Sequence, residues 1–378
     1  MKKILIVSNI SWTIYNFRLG LLKALKNNGF EVVAIALRDD YSPKIEREGF
    51  RLIALKQLVE RGLNPFKDLK LLWEFYTIYK KEKPDLIIHY TIKPNIYGSI
   101  SAIFNKTKYI NVITGLGYVF LKDSLLQKFI KFLYKVVFIH SQFIVFQNNE
   151  DREIFLNMNI VNKNKAILIK GSGVNTDFFS PNLSNSQPFI KDGTVFLMIA
   201  RMLYDKGVIE FVEAARLVKQ KYPDAKFVLL GRCYNNNPSC IPEIFIKRWV
   251  KEGLVSYFPE TDDVRPFIDN ADVVVLPSYR EGLSKILLES MALEKPIITT
   301  DVAGCREIVE NGVNGFLVPP KNGKLLAEAM IKMLELNNLE RKMMGKKSRD
   351  KVKNEFDDKI VLGQYNELIT KTISLEVA

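Results

Sequence analysis

The sequence predicts an α/β protein built on two doubly wound parallel sheets, in two domains that face each other across a cleft. The chain has 378 residues, which is too long for one typical domain and suits two of similar size. Short apolar runs, typical of buried parallel strands, alternate with helical patterns in both halves. A polar segment at residues 182–192, which contains Pro188, separates the halves and is the predicted linker.

The first half opens with a β–α–β unit. Lys3–Val7 and Glu31–Leu37 are the predicted strands, and the helix between them ends at Asn27-Asn28-Gly29. The further elements predicted in this half are helices at Leu69–Tyr79 and Leu125–Ile139 and strands at Asp85–His89 and Tyr109–Ile113.

Three loops of this half, at residues 9–18, 90–98 and 114–118, follow the carboxyl ends of strands, where α/β sheets place their ligands. The loop at residues 9–18 is long, aromatic and polar, and it lacks the G-x-G-x-x-G pattern of dinucleotide-binding sites. We expect these loops to bind an acceptor substrate, although ordinary packing of the aromatic side chains explains the first loop equally well. The acceptor contacts assigned to them are Asn16, Arg18, Lys93, Gly115 and Gly117.

Positive charge is concentrated in the first half. Residues 1–180 hold 27 Lys and Arg against 15 Asp and Glu, whereas the remaining residues hold 28 against 27. Basic, aromatic and apolar side chains together favour contact with an anionic membrane surface. The helix at Leu125–Ile139 is the best candidate, although a core helix with snorkelling lysines explains most of its apolar face as well. Nucleic acid is the rival partner, but no recognition motif accompanies the charge.

The composition of the sequence indicates in which cellular compartment we expect the protein. No apolar run reaches the ~18 residues that cross a bilayer, and the first residues fit a strand better than a signal peptide. The three cysteines are few and odd in number and lack the spacing of a zinc site, so we expect reduced thiols in the cytoplasm. A histidine at a strand end, such as His89, is more often structural than catalytic.

The second half begins with a predicted strand at Thr194–Ala200, which Arg201 and Lys206 follow. Two cations at the carboxyl end of a strand, beside a helix N-terminus, would clamp a diphosphate. Taken alone, Arg201 is equally well explained as a surface salt-bridge partner. The further strands predicted in this half are Lys226–Leu230, Val255–Phe258, Asp272–Leu276 and Pro296–Thr299.

A strand–turn–helix segment carries the remaining candidates. The apolar run Val273–Leu276 leads into a turn at Glu281-Gly282, and the helix that follows carries Glu289. A helix N-terminus presents N–H groups and a positive dipole end to an anion, and Gly282 permits close approach of the backbone. Carboxylates beside a phosphate site suit sugar hydroxyls. Because the sequence contains no Asp-x-Asp, we expect neither a metal at the phosphates nor any other cofactor.

These residues, taken together, resemble the family-4 retaining glycosyltransferases of the GT-B fold. The matching blocks are Arg201…Lys206-Gly207, Glu281-Gly282…Glu289, Ala303–Val318 and the interdomain signature Gly173-Val174-Asn175…Phe178. The resemblance implies two Rossmann-like domains, an acceptor-binding one at residues 1–182 and a nucleotide-sugar-binding one at 190–356. It also implies a last helix, within residues 357–378, that crosses back to the first domain.

The resemblance also implies roles for the site residues. Arg201 and Lys206 would bind the diphosphate of a UDP-sugar, and Glu281 would hold the donor sugar near its anomeric centre. The remaining donor contacts would be the Glu289 carboxylate to the ribose and the amides of Gly282, Leu283 and Ser284 to phosphate and sugar.

One departure from the family lies in the first half. Many members carry a histidine near the donor sugar, after the fourth strand of the first domain. Here Thr114-Gly115-Leu116 occupies that region, and we expect backbone groups of Gly115 to Gly117 to take its place.

Five short motifs narrow the resemblance to a bacterial subgroup that acts on undecaprenyl-diphosphate-linked sugars and includes α-1,3-N-acetylgalactosaminyltransferases. We therefore expect retaining, metal-independent transfer of a hexosamine from a UDP-sugar to a polyprenyl-diphosphate-linked sugar, with N-acetylgalactosamine as the favoured hexosamine. The reaction would serve N-glycan, O-antigen or capsule assembly at the cytoplasmic face of the bacterial inner membrane, with the protein peripheral to it. The motifs are Ile14–Arg18, Asn64–Phe66, Lys93–Asn95, Gly115–Gly117 and Asn237–Cys240.

Three alternatives stay open. The first is another UDP-hexose transferase of cell-surface polysaccharide synthesis. The second is a nucleotide-sugar 2-epimerase on the same fold, which would consume the donor without an acceptor; the basic first half argues against it. The third is a protein that binds lipid or nucleic acid without catalysis, which would leave the paired acids and paired cations of the second half unexplained.

Overall fold

The computed structural model describes residues 1–59, 64–116, 125–181, 193–233 and 237–374, with the backbone alone for Leu125 and Leu126. The chain divides into two compact units. The first comprises Met1–Ser172 together with Lys359–Ala378, and the second comprises Gly173–Asp358. Gly117 lies outside the described residues, so its assignment to the acceptor site stays a prediction.

The first unit is built on a seven-stranded sheet in the order β3-β2-β1-β4-β5-β6-β7, and every pair of neighbouring strands is parallel. Its strands are β1 Lys3–Ile10, β2 Glu31–Leu37, β3 Arg51–Leu55, β4 Leu86–Tyr90, β5 Tyr109–Ile113, β6 Phe143–Phe146 and β7 Ala166–Leu168. Its helices are α1 Ser11–Asn27, α2 Ser42–Arg47, α3 Pro65–Glu82, α4 Ser99–Phe104, α5 Leu125–His140, α6 Asn149–Asn157 and α13 Asp358–Ser374, with a π-helical turn at Pro94–Gly98 and a 3-10 turn at Lys163–Lys165.

Helices cover both faces of this sheet, which is why its central strands are apolar throughout. On one face, Ile4 and Ile6 of β1 pack with Leu22 of α1 and with Tyr365 and Ile369 of α13. The opposite face packs against α3, α4 and α5. Helix α13 therefore belongs to the core of the first unit, although it follows the second unit in the chain.

The second unit is built on a six-stranded parallel sheet in the order β10-β9-β8-β11-β12-β13. Two parallel sheets in an α/β chain confirm the predicted fold class. Its strands are β8 Val195–Ile199, β9 Lys226–Leu230, β10 Ser256–Phe258, β11 Val273–Leu276, β12 Ile297–Thr300 and β13 Gly315–Val318. Its helices are α7 Val208–Lys221, α8 Glu243–Lys251, α9 Arg265–Asp269, α10 Lys285–Ala292, α11 Gly323–Glu335 and α12 Asn338–Glu355, with a 3-10 turn at Tyr204–Lys206.

Two features differ from the expectations. Residues 173–181, which the sequence assigned to the first domain, lie in the second unit, because the Val174 N–H donates to Phe356 O and Val174 O accepts from the Asp358 N–H. The predicted linker at residues 182–192 lies outside the described residues. The long loop expected at residues 9–18 is not a loop: β1 extends to Ile10 and α1 begins at Ser11.

Candidate active site

The two candidate segments of the second unit meet at one edge of its sheet. Strands β8 and β11 are neighbours, so the residues that follow them, 201–206 and 278–284, leave the sheet side by side. The Tyr279 N–H donates to Asp205 O over 2.9 Å. Gly207, at φ +78°, packs directly on the carbonyl oxygen of Pro277, where a Cβ would not fit. Backbone contacts thus hold the two segments together.

Lys206 and Glu281 form an ion pair at this edge. Lys206 Nζ donates to Glu281 Oε1 over 2.6 Å, and the two side chains are only 17% and 14% exposed. The predicted phosphate cation and the predicted sugar-binding acid are therefore direct partners. Since each group is largely withdrawn from water, each depends on the other for its compensation.

Arg201 has a different setting. It follows β8 directly and its side chain is exposed. Among the described residues its guanidinium forms no hydrogen bond or ion pair, in contrast to Lys206. The alternative role of Arg201, in a surface salt bridge, therefore lacks a carboxylate partner there. An exposed guanidinium at the carboxyl end of a central strand is suitably placed for an anionic ligand.

A glycine turn supports the segment that carries Glu281. Gly304 adopts φ +73°, and a Cβ at this position would come within 2.5 Å of Gly282 O and 2.6 Å of Glu281 O. The Glu281 N–H donates to Ala303 O over 3.3 Å. The turns around residues 281–282 and 303–304 therefore touch through their backbones, and only glycine at position 304 allows that approach.

The start of α10 lies beside the ion pair. Ser284 precedes the helix in an extended conformation, and its side chain does not cap the helix. The first N–H groups of a helix have no partner within it, and here no side chain from the N-cap position covers them. With Gly282 and Leu283 half-buried in front of it, this end offers backbone donors to an anion.

Glu289 lies further along α10, with its side chain 12% exposed and 3.9 Å from Lys285. Burial raises the pKa of Glu289 from 4.5 to about 7, and the charge of Lys285 opposes that shift only in part. A carboxyl group held near neutral pKa in a pocket is typical of functional sites. Its titration makes any ligand that needs the carboxylate pH-dependent.

Sequence reasoning missed the residues that fix the turn. The Tyr279 hydroxyl donates to Glu210 Oε1 over 2.6 Å, which ties the turn to α7. Thr299 donates to Leu276 O, and Thr300 donates to Ser278 O, so β12 also holds the end of β11. A buried threonine pair and a tyrosine next to the turn were the available signals, but nothing in the sequence indicates their partners.

The residues predicted to contact an acceptor lie in the first unit. Arg18 is buried in α1, 6% exposed, and its guanidinium lies 4.2 Å from the centre of the Tyr90 ring. Its position on the inner face of α1, with Ile14 and Leu22, does not fit the predicted acceptor contact. Asn16, half-buried on the same helix, donates to Trp12 O over 2.9 Å.

Lys93 is also engaged within the protein. Its ammonium donates to Asp68 Oδ1 over 2.7 Å, and the two side chains are 13% and 5% exposed. Its charge is thus compensated by Asp68 on α3, as that of Lys206 is by Glu281, and its assignment to an acceptor diphosphate stays a prediction. Gly115 follows β5 at φ +130°, a conformation that favours glycine.

His89 is structural, as its position at a strand end predicts. It is fully buried, its Nε2 lies 2.9 Å from the Tyr79 hydroxyl and its Nδ1 lies 3.2 Å from Ser99 Oγ. Burial lowers the pKa of His89 to about 3, so it is neutral near pH 7. Gly98 packs on this ring, where a Cβ would come within 2.7 Å of Nε2.

Two kinds of feature are absent from the described ranges. No three side chains of His, Cys, Asp or Glu come together there in a way that could hold a metal ion. None of the helices in those ranges combines the length and the apolar character needed to cross a bilayer.

Comparison with known proteins identifies the family of the chain. The family "Glycosyl transferases group 1" matches residues 179–351, and the family "Glycosyl transferase 4-like" matches residues 3–148. The chain is 31% identical, over 97% of its length and 98% of the relative's, to the N,N'-diacetylbacillosaminyl-diphospho-undecaprenol α-1,3-N-acetylgalactosaminyltransferase of Campylobacter jejuni.

Two further proteins are similar to this chain, one in sequence and one in structure. The chain is 26% identical, over 79% of its length and 78% of the relative's, to the UDP-Gal:α-D-GlcNAc-diphosphoundecaprenol α-1,3-galactosyltransferase of Escherichia coli. Anabaena HepE, solved in complex with UDP and glucose, superposes with a TM-score of 0.83 at 17% identity, over 99% of this chain and 100% of HepE. The resemblance seen in the sequence is confirmed: the chain belongs to the group 1, family-4-like glycosyltransferases and has their GT-B fold.

Proposed function

We propose that this glycosyltransferase transfers an N-acetylhexosamine from its UDP-sugar to an undecaprenyl-diphosphate-linked sugar, and that the N-acetylhexosamine is N-acetylgalactosamine. The observation that carries the proposal is the 31% identity, over nearly the whole of both chains, to a transferase named for that sugar and that class of acceptor. The E. coli relative has the same class of acceptor and a UDP-sugar donor in its name. The product would enter bacterial N-glycan, O-antigen or capsule assembly.

The donor site of this proposal is the edge of the second sheet. Arg201 and Lys206 bind the diphosphate, and the uncapped start of α10 adds backbone donors through Gly282, Leu283 and Ser284. Glu281 holds the sugar hydroxyls, and Glu289 accepts from the ribose hydroxyls. The 2.6 Å contact between Lys206 and Glu281 supports a shared role, since it places the proposed phosphate-binding ammonium next to the proposed sugar-binding carboxylate.

The proposed reaction retains the anomeric configuration and needs no metal. An acceptor hydroxyl attacks the anomeric carbon on the face that UDP leaves, and its proton passes to the departing diphosphate oxygen. The bond between the anomeric carbon and that oxygen breaks as the new glycosidic bond forms. Cationic side chains and backbone N–H groups neutralise the charge that develops on the diphosphate.

The acceptor binds to the first unit, and the protein works as a peripheral enzyme at the cytoplasmic membrane face. Of the predicted contacts, Asn16, Lys93, Gly115 and Gly117 are kept in the proposal; Lys93, like Lys206, would exchange its carboxylate partner for a phosphate of the ligand. Arg18 is left out, because it is buried against Tyr90.

The test is a panel of UDP-sugars, each incubated with a synthetic polyprenyl-diphospho-sugar and scored by UDP release and by mass of the lipid product. We expect product with UDP-N-acetylgalactosamine and an α-linkage in its NMR spectrum. A β-linkage would overturn retention, and loss of activity in EDTA that Mg²⁺ restores would overturn metal independence.

Two further outcomes distinguish the alternatives. Faster transfer from UDP-galactose or UDP-glucose would assign the chain to another UDP-hexose transferase of cell-surface polysaccharide synthesis, which the E. coli relative favours. An epimerised UDP-sugar formed from the donor alone would indicate a 2-epimerase.

A further inference from the structure

Two helices of the first unit expose the same kind of apolar stripe. On α3, Phe66, Leu69 and Trp73 are 82%, 67% and 64% exposed. Tyr76 extends this stripe, because its ring stacks on Trp73 with 5.3 Å between ring centres. The spacing i, i+3, i+7, i+10 places all four side chains on one face of the helix.

Helix α5 repeats this spacing. Its outer side chains are Phe129, Phe132, Val136 and Ile139, of which all but Val136 are more than half exposed. Buried side chains of the same helix, including Tyr134 and Phe138, point to the sheet. The outer stripe therefore lies on the side of α5 that faces away from the core.

The two stripes belong to one layer. Both α3 and α5 pack on the same face of the seven-stranded sheet, and α4 contacts both of them. Leu71 and Phe75 of α3 face that sheet, so the α3 stripe also points outward. We call the eight stripe residues of α3 and α5 together the outer apolar face.

Positive charge surrounds this face. Lysines 67, 70, 80 and 81 of α3 and lysines 128 and 135 of α5 are exposed. The three acids of α3 are engaged elsewhere: Asp68 pairs with Lys93, Glu82 pairs with Lys3, and Glu74 accepts from the backbone N–H groups of Lys56 and Gln57. No acidic residue occurs in the described part of α5. Exposed aromatic residues with a rim of lysines match the interface of a bilayer that carries anionic lipids.

We propose that the outer apolar face docks the first unit on an anionic lipid bilayer, with the aromatic side chains among the headgroups and the lysines on lipid phosphates. The inference adds α3 to the basic helix that the sequence indicates and defines which side of the first unit meets lipid. It rests on the proposed function, because a polyprenyl-linked acceptor presents its diphospho-sugar at a membrane surface.

The test measures binding of the full chain to vesicles of phosphatidylcholine, with and without phosphatidylglycerol. The variants are Leu69→Ser/Trp73→Ser on α3 and Phe132→Ser/Ile139→Ser on α5. The matched control is Ile244→Ser/Val250→Ser, which removes exposed apolar side chains from α8 of the second unit. We expect each test pair to weaken binding about tenfold or more, and the control to bind like the parent.

A second measurement reports the depth of Trp73. Lipids brominated in the acyl chain should quench the tryptophan fluorescence of the parent protein more than that of Trp73→Phe. Equal quenching in the two proteins, or equal vesicle binding by all variants, would overturn the proposal. A dimer that the test pairs abolish, with vesicle binding unchanged, would make this face a protein interface instead.

Transfer to a short-chain, water-soluble acceptor is measured in the same variants. We expect it to persist in the test pairs, because none of these residues is assigned to the donor site or to the acceptor contacts. Absence of transfer in the parent would overturn the proposed function while vesicle binding still tests the docking face. The two failures are thus distinguishable.

Discussion

Lys206 and Glu281 lie 75 positions apart in the chain, yet the ammonium of one donates to the carboxylate of the other over 2.6 Å. Both side chains are largely buried. If the proposed donor binds here, its diphosphate and sugar replace the contact within this pair by contacts to the ligand. We therefore expect donor binding and the stability of the protein to depend on the same two groups.

Replacing Lys206 by Met should reduce transfer by at least about 100-fold, because the developing charge on the diphosphate loses its cation. The same change should cost roughly 1–3 kcal/mol of unfolding free energy, since it leaves Glu281 largely buried without its partner. Steady-state kinetics and urea unfolding measure the two effects.

The double variant Lys206→Met/Glu281→Gln separates them. It should recover most of the lost stability, because the unpaired charge is gone, and recover none of the activity. The control Lys221→Met breaks an exposed ion pair with Glu335 and should change neither quantity. Near-normal turnover in Lys206→Met would remove this residue from the site.

Glu289→Gln should have opposite effects on stability and on function. The pKa of Glu289 is about 7 in the folded protein against 4.5 normally, so between these values the folded state binds more protons than the unfolded state. Stability contributed by this group is therefore lost as pH rises through about 7. The Gln variant should melt at a higher temperature than the parent at about pH 8 and at a similar temperature at about pH 5.

The donor KM should report the same titration. If the carboxylate accepts hydrogen bonds from the ribose, the KM of the parent falls between about pH 6 and about pH 8, and Glu289→Gln loses that dependence. A parent KM that does not change with pH, measured by UDP release, would contradict the assignment to ribose.

Tyr279→Phe should lower kcat several-fold with little change in donor KM. The change removes the 2.6 Å hydrogen bond to Glu210 that ties the Glu281 turn to α7, at a stability cost of about 1 kcal/mol. Glu210→Leu should reproduce the effect. Glu210→Gln should keep a near-parent kcat, because its amide oxygen still accepts from the Tyr279 hydroxyl. An equal loss of kcat in all three variants would indicate a merely structural disturbance.

Two glycines with the same left-handed backbone conformation test the close approach at the Glu281 turn. Gly304 and Gly312 have φ values of +73° and +79°, but a Cβ would meet the carbonyls of Glu281 and Gly282 only at position 304. Gly312→Ala should cost about 1–2 kcal/mol from φ strain alone. Gly304→Ala should cost more and should also reduce transfer.

Thermal melting and UDP release, measured on both variants, provide the comparison. Equal stability losses with unchanged transfer would show that the contact between the two turns does not position Glu281.

The sequence was sufficient to predict that the proposed donor residues lie close together, because they follow strands. Arg201, Lys206 and Glu281 all come within a few residues of the end of an apolar run, and parallel strands bring their carboxyl ends to one edge of the sheet. The direct pairing of Lys206 with Glu281 could not be predicted, because it requires β8 and β11 to be neighbours although two strands separate them in the chain.

The first unit was harder to predict. Apolar residues at 14, 21, 22 and 25 recur with helical spacing, and Arg18 falls on the same face, so the pattern itself indicated that Arg18 points inward. The aromatic and polar composition of residues 9–18 favoured a loop and concealed that pattern. Lys93 gave no such signal, since its partner Asp68 lies on a different helix. Short strands such as β3 and β7 have too few residues to show a clear periodic pattern of apolar side chains.

The incorporation of α13 into the core of the first unit has a consequence for biosynthesis. On the ribosome, residues 1–172 emerge first, and α1 can already cover part of the sheet face that holds Ile4 and Ile6, but the rest of that face stays uncovered until Tyr365 and Ile369 have been synthesised. The second unit, continuous from Gly173 to Asp358, can complete its core before the first one does. Completion of the first unit thus follows translation of the last helix, and a nascent chain stalled before α13 presents apolar β-sheet to chaperones.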